Sequence, residues 1–355
     1  MGFSMCCFGS MTPDSRVKND GQVCLEAISD DTKESPAVVK RYKWEEIEKY
    51  TMNFKEVIGI GGYSMVYLAK FPNSTLGAVK MYNNNSERLN QVFKSELEIS
   101  QKLHHANIVK LLGYCDDNDG GVLVFEYIPK GNLQEELHNH QNNVKTKLTW
   151  KQRIKIAYQL AKALEYLHES CDLQIVHGDI KGSNILLDEN LNCMLCDFGF
   201  AKMGFSSMIK PPSSSRLTMM GSPGYIDPHF LMTGIASKKS DVYSFGVILL
   251  ELITGLEAFI CSGENQILLS SVLRNKESFD VEKLVKMIDP RINQNENVDK
   301  EEVKIMGEIA ARCLHHLPSL RPNSSEICII MQEKISFVHD MLDVTEKSYG
   351  EEIKL

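Results

Sequence analysis

His177-Gly178-Asp179-Ile180-Lys181-Gly182-Ser183-Asn184 runs directly into Ile185-Leu186-Leu187, and a little further on stands Cys196-Asp197-Phe198-Gly199. A carboxylate and an amide sit five residues apart on one loop, and a short hairpin returns a second carboxylate on a turn backed by glycine. Singly, aspartate and asparagine are ordinary turn formers. What precedes them makes their spacing informative. Upstream lies Gly59-Ile60-Gly61-Gly62-Tyr63-Ser64-Met65-Val66, with β-type runs on either side. Glycines let a backbone approach phosphate oxygens closely, although a glycine-rich turn alone is weak evidence. Next comes Gly77-Ala78-Val79-Lys80, where strand alternation puts Ala78 and Lys80 on one face. A lysine on a strand needs a partner to be more than solvated surface. Glu96, in the helical stretch Phe93-Lys94-Ser95-Glu96, is the expected one.

Phosphoryl transfer asks little covalent chemistry of a protein. The phosphates must be held, their charge neutralised by metal, and the acceptor hydroxyl aligned. Each task has a group here. Asp179 is expected to orient the acceptor and take its proton, with Lys181 assisting at the transferred phosphate. Asn184 and Asp197 are the expected ligands of Mg2+, with Mn2+ as an alternative, and Lys80 is the group expected to reach the phosphates of ATP.

The surroundings agree with a folded domain carrying such a site. The 355 residues are 43% hydrophobic and 24% charged, enough to bury a large core. A net charge of −8 argues against a nucleic-acid partner. Ten scattered cysteines suggest reduced thiols, and the lone Cys193-Met194-Leu195-Cys196 puts its two thiols on opposite faces of a strand, unsuited to sharing a metal. No segment reads as membrane-spanning or as a secretory signal; Tyr243 to Ile260, broken by Glu251 and Glu257, reads as a buried core helix. The spacing of Trp44, Ile47, Tyr50 and Phe54 predicts an amphipathic helix from Tyr42 to Phe54. Strands are predicted at 57–58, 66–70, 78–82, 109–114 and 122–127, interrupted by a helix over 89–103. After Leu133 the pattern is helical apart from short strands near 185–187 and 193–196. The outline is an α+β chain in two lobes, a small β-rich one followed by a larger helical one.

At this point the residues resemble a known family. The stretch from Phe54 to Phe337 is similar to the eukaryotic protein kinase catalytic domain, and within it to the plant receptor-like and Pelle/IRAK-type kinases. Further cues are His105-Ala106-Asn107-Ile108-Val109-Lys110-Leu111-Leu112-Gly113-Tyr114-Cys115, Gly221-Ser222-Pro223-Gly224-Tyr225-Ile226-Asp227-Pro228, Asp241-Val242-Tyr243-Ser244-Phe245-Gly246-Val247 and Arg321-Pro322. The subgroup it most resembles is the receptor-like cytoplasmic kinases. The resemblance divides the chain into a flexible tether at 1–40, a lead-in helix at 41–53, the catalytic domain at 54–337 and a tail at 338–355. It implies a nucleotide site formed by Ile58, Gly59, Gly61, Gly62, Val66, Ala78 and Lys80, completed by Phe125 as gatekeeper, Glu126 and Ile128 of the hinge, and Leu186, which with Val66 sandwiches the adenine. Lys181 and Ser222 match the pattern of kinases acting on serine or threonine of protein substrates.

Three departures qualify the resemblance. Ser64 stands where a third glycine is usual. Gly178 replaces the arginine that pairs with a phosphate on the activation loop, which marks a non-RD kinase. In Asp227-Pro228-His229 a histidine replaces the glutamate that normally pairs with the arginine matching Arg321, so Arg321 is expected to lack its carboxylate. On these departures rests a rival reading, a catalytically weak pseudokinase or scaffold that regulates a receptor kinase complex. The N-terminus carries Gly2 with Cys6 and Cys7, a pattern for myristate and palmitate that would anchor a cytoplasmic protein peripherally at the plasma membrane, beside a membrane receptor kinase as partner. Ser206, Ser207, Ser213, Ser214, Ser215 and Thr218 form a candidate phosphosite run.

Overall fold

A computed structural model describes residues 39–342 except 63, 83–86, 118–120, 139–147, 205–220, 263–264, 273, 276–277 and 293–297. The acylation residues Gly2, Cys6 and Cys7 and the phosphosite run from Ser206 to Thr218 lie outside the described residues.

The first lobe is a six-stranded sheet. Its elements are β1 (Lys40–Arg41), α1 (Trp44–Tyr50), β2 (Val57–Ile60), β3 (Ser64–Lys70), β4 (Leu76–Tyr82), α2 (Glu87–Ser100), β5 (Leu111–Cys115) and β6 (Val122–Glu126). The strand order is β1-β5-β6-β4-β3-β2, antiparallel except for β1 beside β5. β1 has no signature in the sequence: two residues carry no periodicity, and Lys40 reads as polar linker. Gly113 admits it, since a Cβ there would stand 2.2 Å from the Lys40 carbonyl oxygen. The helix expected from Tyr42 to Phe54 is shorter. Thr51 Oγ1 donates to Ile47 O at 2.8 Å and accepts from Phe54 N at 3.1 Å, and Met52, Asn53 and Phe54 all take positive φ. The apolar spacing was sound nevertheless. Phe54 swings back onto Trp44 and Tyr67, with ring centroids 5.4 and 5.1 Å away, and packs with Tyr42, Ile47 and Tyr50 against the outer sheet.

The second lobe contains α3 (Leu133–His138), α4 (Trp150–Glu165), β7 (Ile175–Val176), β8 (Ile185–Leu187), β9 (Cys193–Leu195), β10 (Lys202–Met203), α5 (Pro228–Thr233) and α6 (Lys238–Thr254). It continues through β11 (Phe259–Ser262), β12 (Asn265–Leu268), α7 (Leu269–Val272), β13 (Arg274–Asn275), β14 (Ser278–Phe279), α8 (Val281–Lys286), α9 (Lys300–Cys313) and α10 (Ser324–Lys334). Thr149 starts α4 through a reciprocal cap with Gln152. From Asp241 to Thr254 every residue of α6 is buried, the signature of a helix at the centre of a core. That helix stops at Thr254 rather than Ile260; Gly255 caps it and β11 follows. Cys115, Cys171, Cys193, Cys196, Cys313 and Cys328 are free thiols, and among the described residues no group of three His, Cys, Asp or Glu could hold a metal. Among the described residues no helix is long and apolar enough to cross a membrane.

Candidate functional site

The lobes meet where Lys80 of β4 reaches Asp197, just after β9. β2 and β3 pair antiparallel, and the glycine turn between them closes through Gly61 N to Ser64 O at 2.8 Å. Ser64, the departure from the glycine pattern, is buried at the start of β3. On β4, Lys80 lies opposite Val66, and Ala78 lies between Leu68 and Phe125. Val66, Ala78, Phe125, Glu126, Ile128 and Leu186 are all half-buried, whereas the neighbouring Val79, Leu123 and Val124 are fully inside. Glu126 uses its N–H on Lys110 O at 3.0 Å and its carboxylate on Lys110 N at 2.7 Å. Ile58, 38% exposed, is the most open of the predicted nucleotide contacts outside the glycines.

Lys80 reaches both oxygens of Glu96 at 2.8 Å and Asp197 Oδ1 at 2.7 Å. Burial works against its charge, but Asp197 and Glu96 outweigh burial and hold the ammonium protonated. Glu96 has no exposed surface, and burial raises its carboxyl while Lys80 pulls the other way. Burial also pushes on Asp197, yet Lys80 dominates and brings that carboxyl down to about 2. Asp197 sits at φ 65, a conformation that a non-glycine residue occupies only when its surroundings impose it. Gly199 N, 3.4 Å from Asp197 Oδ1, and the Lys80 contact are part of those surroundings.

In the second lobe, Asp179 is held from three directions. Lys181 Nζ is 2.8 Å from Oδ2, Ser222 Oγ donates to Oδ1 at 3.0 Å, and Asn184 Nδ2 donates to the Asp179 carbonyl at 2.8 Å. Lys181 also donates to Ser222 Oγ at 2.9 Å, closing a triangle between the loop and the segment that begins at Gly221. The backbone of the loop hangs on one buried acid: Asp241 accepts from His177 N and Gly178 N, both at 2.8 Å, and its Oδ2 lies 2.9 Å from His168 Nε2. In the sequence Asp241 stands only as part of the family resemblance. Its signal is an acid at the head of a largely apolar stretch, which needs buried donors.

Asn184 spends its NH2 on Asp179, and Asp197 has Lys80 and Gly199 on Oδ1, which leaves the side-chain Oδ1 of Asn184 and Oδ2 of Asp197 as acceptors. An amide oxygen and a carboxylate fit a magnesium ion, which takes one or two protein carboxylates and completes its shell with substrate phosphates. Beside this centre, a cavity of about 260 Å³ is lined by Lys181, Ser222, Tyr225, His138, Glu251 and Glu257 among others.

One expectation is overturned. Arg321 does not lack a carboxylate: Nη1 and Nη2 each reach an oxygen of Asp227 at 2.7 Å, with Nε on His315 O and Nη1 also on Lys239 O. Asp227, two residues before His229, caps α5 by accepting from His229 N at 2.9 Å and is carried by that turn to the arginine.

The family model described as protein kinase domain matches residues 52–333. A probable receptor-like protein kinase of Arabidopsis thaliana is 47% identical over 315 residues, 86% of this chain and 91% of that protein. The salt tolerance receptor-like cytoplasmic kinase 1 of Oryza sativa subsp. japonica is also 47% identical, over 84% of this chain and 82% of its own length. A calcium/calmodulin-regulated receptor-like kinase 2 of Arabidopsis thaliana is 33% identical over 90% of this chain and 69% of its own.

Proposed function

The chain belongs to the protein kinase domain family, and from that premise we propose that it transfers the γ-phosphate of ATP to serine or threonine of a protein substrate. The observation that carries this reading is the triangle of Asp179, Lys181 and Ser222, with sides of 2.8, 2.9 and 3.0 Å. It ties the Asp179 carboxylate to Ser222 in the segment from Gly221 to Pro228, and two of its three members, Lys181 and Ser222, line the neighbouring cavity. Asp179 orients the acceptor hydroxyl and receives its proton as the phosphoryl group passes to the oxygen. Lys181 stands beside it to meet the transferred phosphate, and Lys80, braced by Glu96, holds the phosphates on the nucleotide side. Asn184 and Asp197 would hold magnesium, which when bound neutralises phosphate charge. Val66, Ala78, Leu186 and Phe125 border the adenine, next to the hinge at Glu126 and Ile128, while Ile58, Gly59, Gly61 and Gly62 cover the phosphates.

Gly178 offers no cation to an activation-loop phosphate, so activity is set free of that pairing. Gly2, Cys6 and Cys7 support a peripheral anchor that keeps a cytoplasmic kinase near membrane receptor kinases. The rival reading, a scaffold without transfer, loses one of its supports because Arg321 has its carboxylate in Asp227.

Purified protein given labelled ATP with Mg2+ or Mn2+ and a generic basic protein tests the proposal. Phosphoserine or phosphothreonine that disappears in both Asp179→Asn and Lys80→Met is the expected result. Intact Mg-ATP binding without any transfer would hand the case to the scaffold.

A further inference from the structure

We propose that Tyr82 is a positioning residue of the nucleotide site, acting through its hydroxyl on Glu96. The inference rests on the kinase reading above and adds a group that neither the glycine loop nor the loop at Asp179 contains. Glu96 is fully buried, and both its oxygens take Lys80 at 2.8 Å. A buried ion pair offsets its own desolvation only when the remaining lone pairs are also satisfied. The Tyr82 hydroxyl supplies that bond by donating to Glu96 Oε2.

The placement follows from strand geometry. Tyr82 is two residues beyond Lys80 on β4, so both side chains leave the same face of the sheet toward α2. Its ring meets Phe93 edge-on at 5.9 Å, less than one turn before Glu96, and the Lys80 ammonium lies 5.3 Å from the ring centre. Tyr82 is only 4% exposed, and Glu96 is the partner of its hydroxyl among the described residues. Burial, ahead of any charge nearby, raises the phenol well above its ordinary range, so it stays a donor.

The consequence concerns what happens when phosphates arrive. Lys80 is already divided between Glu96 and Asp197, and nucleotide phosphates compete for the same three N–H groups. Tyr82 does not take part in that competition. It keeps a donor on Glu96 while Lys80 is shared, and so keeps α2 seated against β4.

A double-mutant cycle separates this role from ordinary aromatic packing. Mg-ATP affinity, kcat and KM would be measured for the full chain and for Tyr82→Phe, Glu96→Gln and the double variant. Tyr82→Phe keeps the ring and removes the hydroxyl. It should weaken Mg-ATP at least about tenfold, the lower end for a hydrogen bond to a buried charge, and raise KM for ATP more than it lowers kcat. In the Glu96→Gln background the same change should cost less than about twofold, since sites that act through one another are not additive. Phe93→Leu, which disturbs the ring contact alone, should multiply with Glu96→Gln. Two independent, multiplying losses, or a Tyr82→Phe variant that binds like the wild type, would overturn the proposal. Wild-type protein that binds Mg-ATP but transfers no phosphate would sink the kinase reading and leave the cycle readable. Wild-type protein that fails to bind would sink both.

Discussion

Asp227→Ala removes the carboxylate from Arg321, whose side chain is 0% exposed. Arg321 would keep two carbonyl contacts, His315 O at 2.7 Å and Lys239 O at 2.8 Å, and the face of Tyr243 with its centroid 5.1 Å away. None of these carries negative charge. Removing one partner of a buried pair costs about 3–5 kcal/mol, and loss of the α5 cap adds up to about 1 kcal/mol. A domain of about 300 residues unfolds with an entropy of roughly 0.63 kcal/mol/K, so each kcal/mol moves Tm by about 1.6 °C. Asp227→Ala should therefore lower Tm by about 5–10 °C in differential scanning fluorimetry at pH 7. Asp227→Asn keeps the cap and the shape, loses the charge, and should fall between. His229→Glu should leave Tm within about 2 °C, because the arginine is already satisfied. A small loss in Asp227→Ala, or a gain of several degrees in His229→Glu, would refute the reasoning and restore glutamate as the missing partner.

Three other outcomes follow from particular residues. Gly178 takes φ +79, and a Cβ there would stand 3.2 Å from Phe200 O, so Gly178→Ala should cost about 1–2 kcal/mol and lower Tm by roughly 2–3 °C; an unchanged Tm would show that the loop relaxes freely. Ser100 Oγ is buried without a hydrogen-bond partner, and Ser100→Ala should raise the urea midpoint by an amount corresponding to about 1 kcal/mol; a drop would reveal a bond the hydroxyl makes in solution. Burial pushes the Asp289 carboxyl up, but Arg291 and Arg153 outweigh it and hold it below the ordinary range. Its contribution is fully present above the unfolded carboxylate value near about 4 and is lost as pH falls through the lower folded value. The stability gap between wild type and Asp289→Asn should thus narrow on acidification below about pH 4, and a gap constant with pH would contradict it.

The parts legible in the sequence are those whose geometry is local. Asp179 and Asn184 share one loop, and β8 and β9 return Asp197 by a hairpin, so covalent spacing nearly fixes their relation. Strand alternation gave Ala78 and Lys80 one face. The same rule held Tyr82, but an aromatic on a strand reads as core, and nothing along the chain says that its hydroxyl meets a carboxylate. The pairing of Asp227 with Arg321 spans 94 residues and depends on how the α5 turn is entered. Matching His229 to a family position identified what was missing there without showing what had taken its place. The end of α1 was misjudged for a related reason: apolar spacing reports which residues are covered, and Phe54 is covered by a reversal of the backbone rather than by another helical turn.

The short strand at Lys40–Arg41 bears on where this chain can be cut. The family match begins at residue 52, and a fragment started there would lack β1 and α1. It would strip Tyr42, Ile47, Trp44 and Tyr50 from Tyr67 and Phe71, and it would leave β5 as a bare edge with unpaired amides. Low yield or clumping of such a fragment would be a property of the cut, and a preparation beginning before Val39 is the one whose enzymology can be trusted.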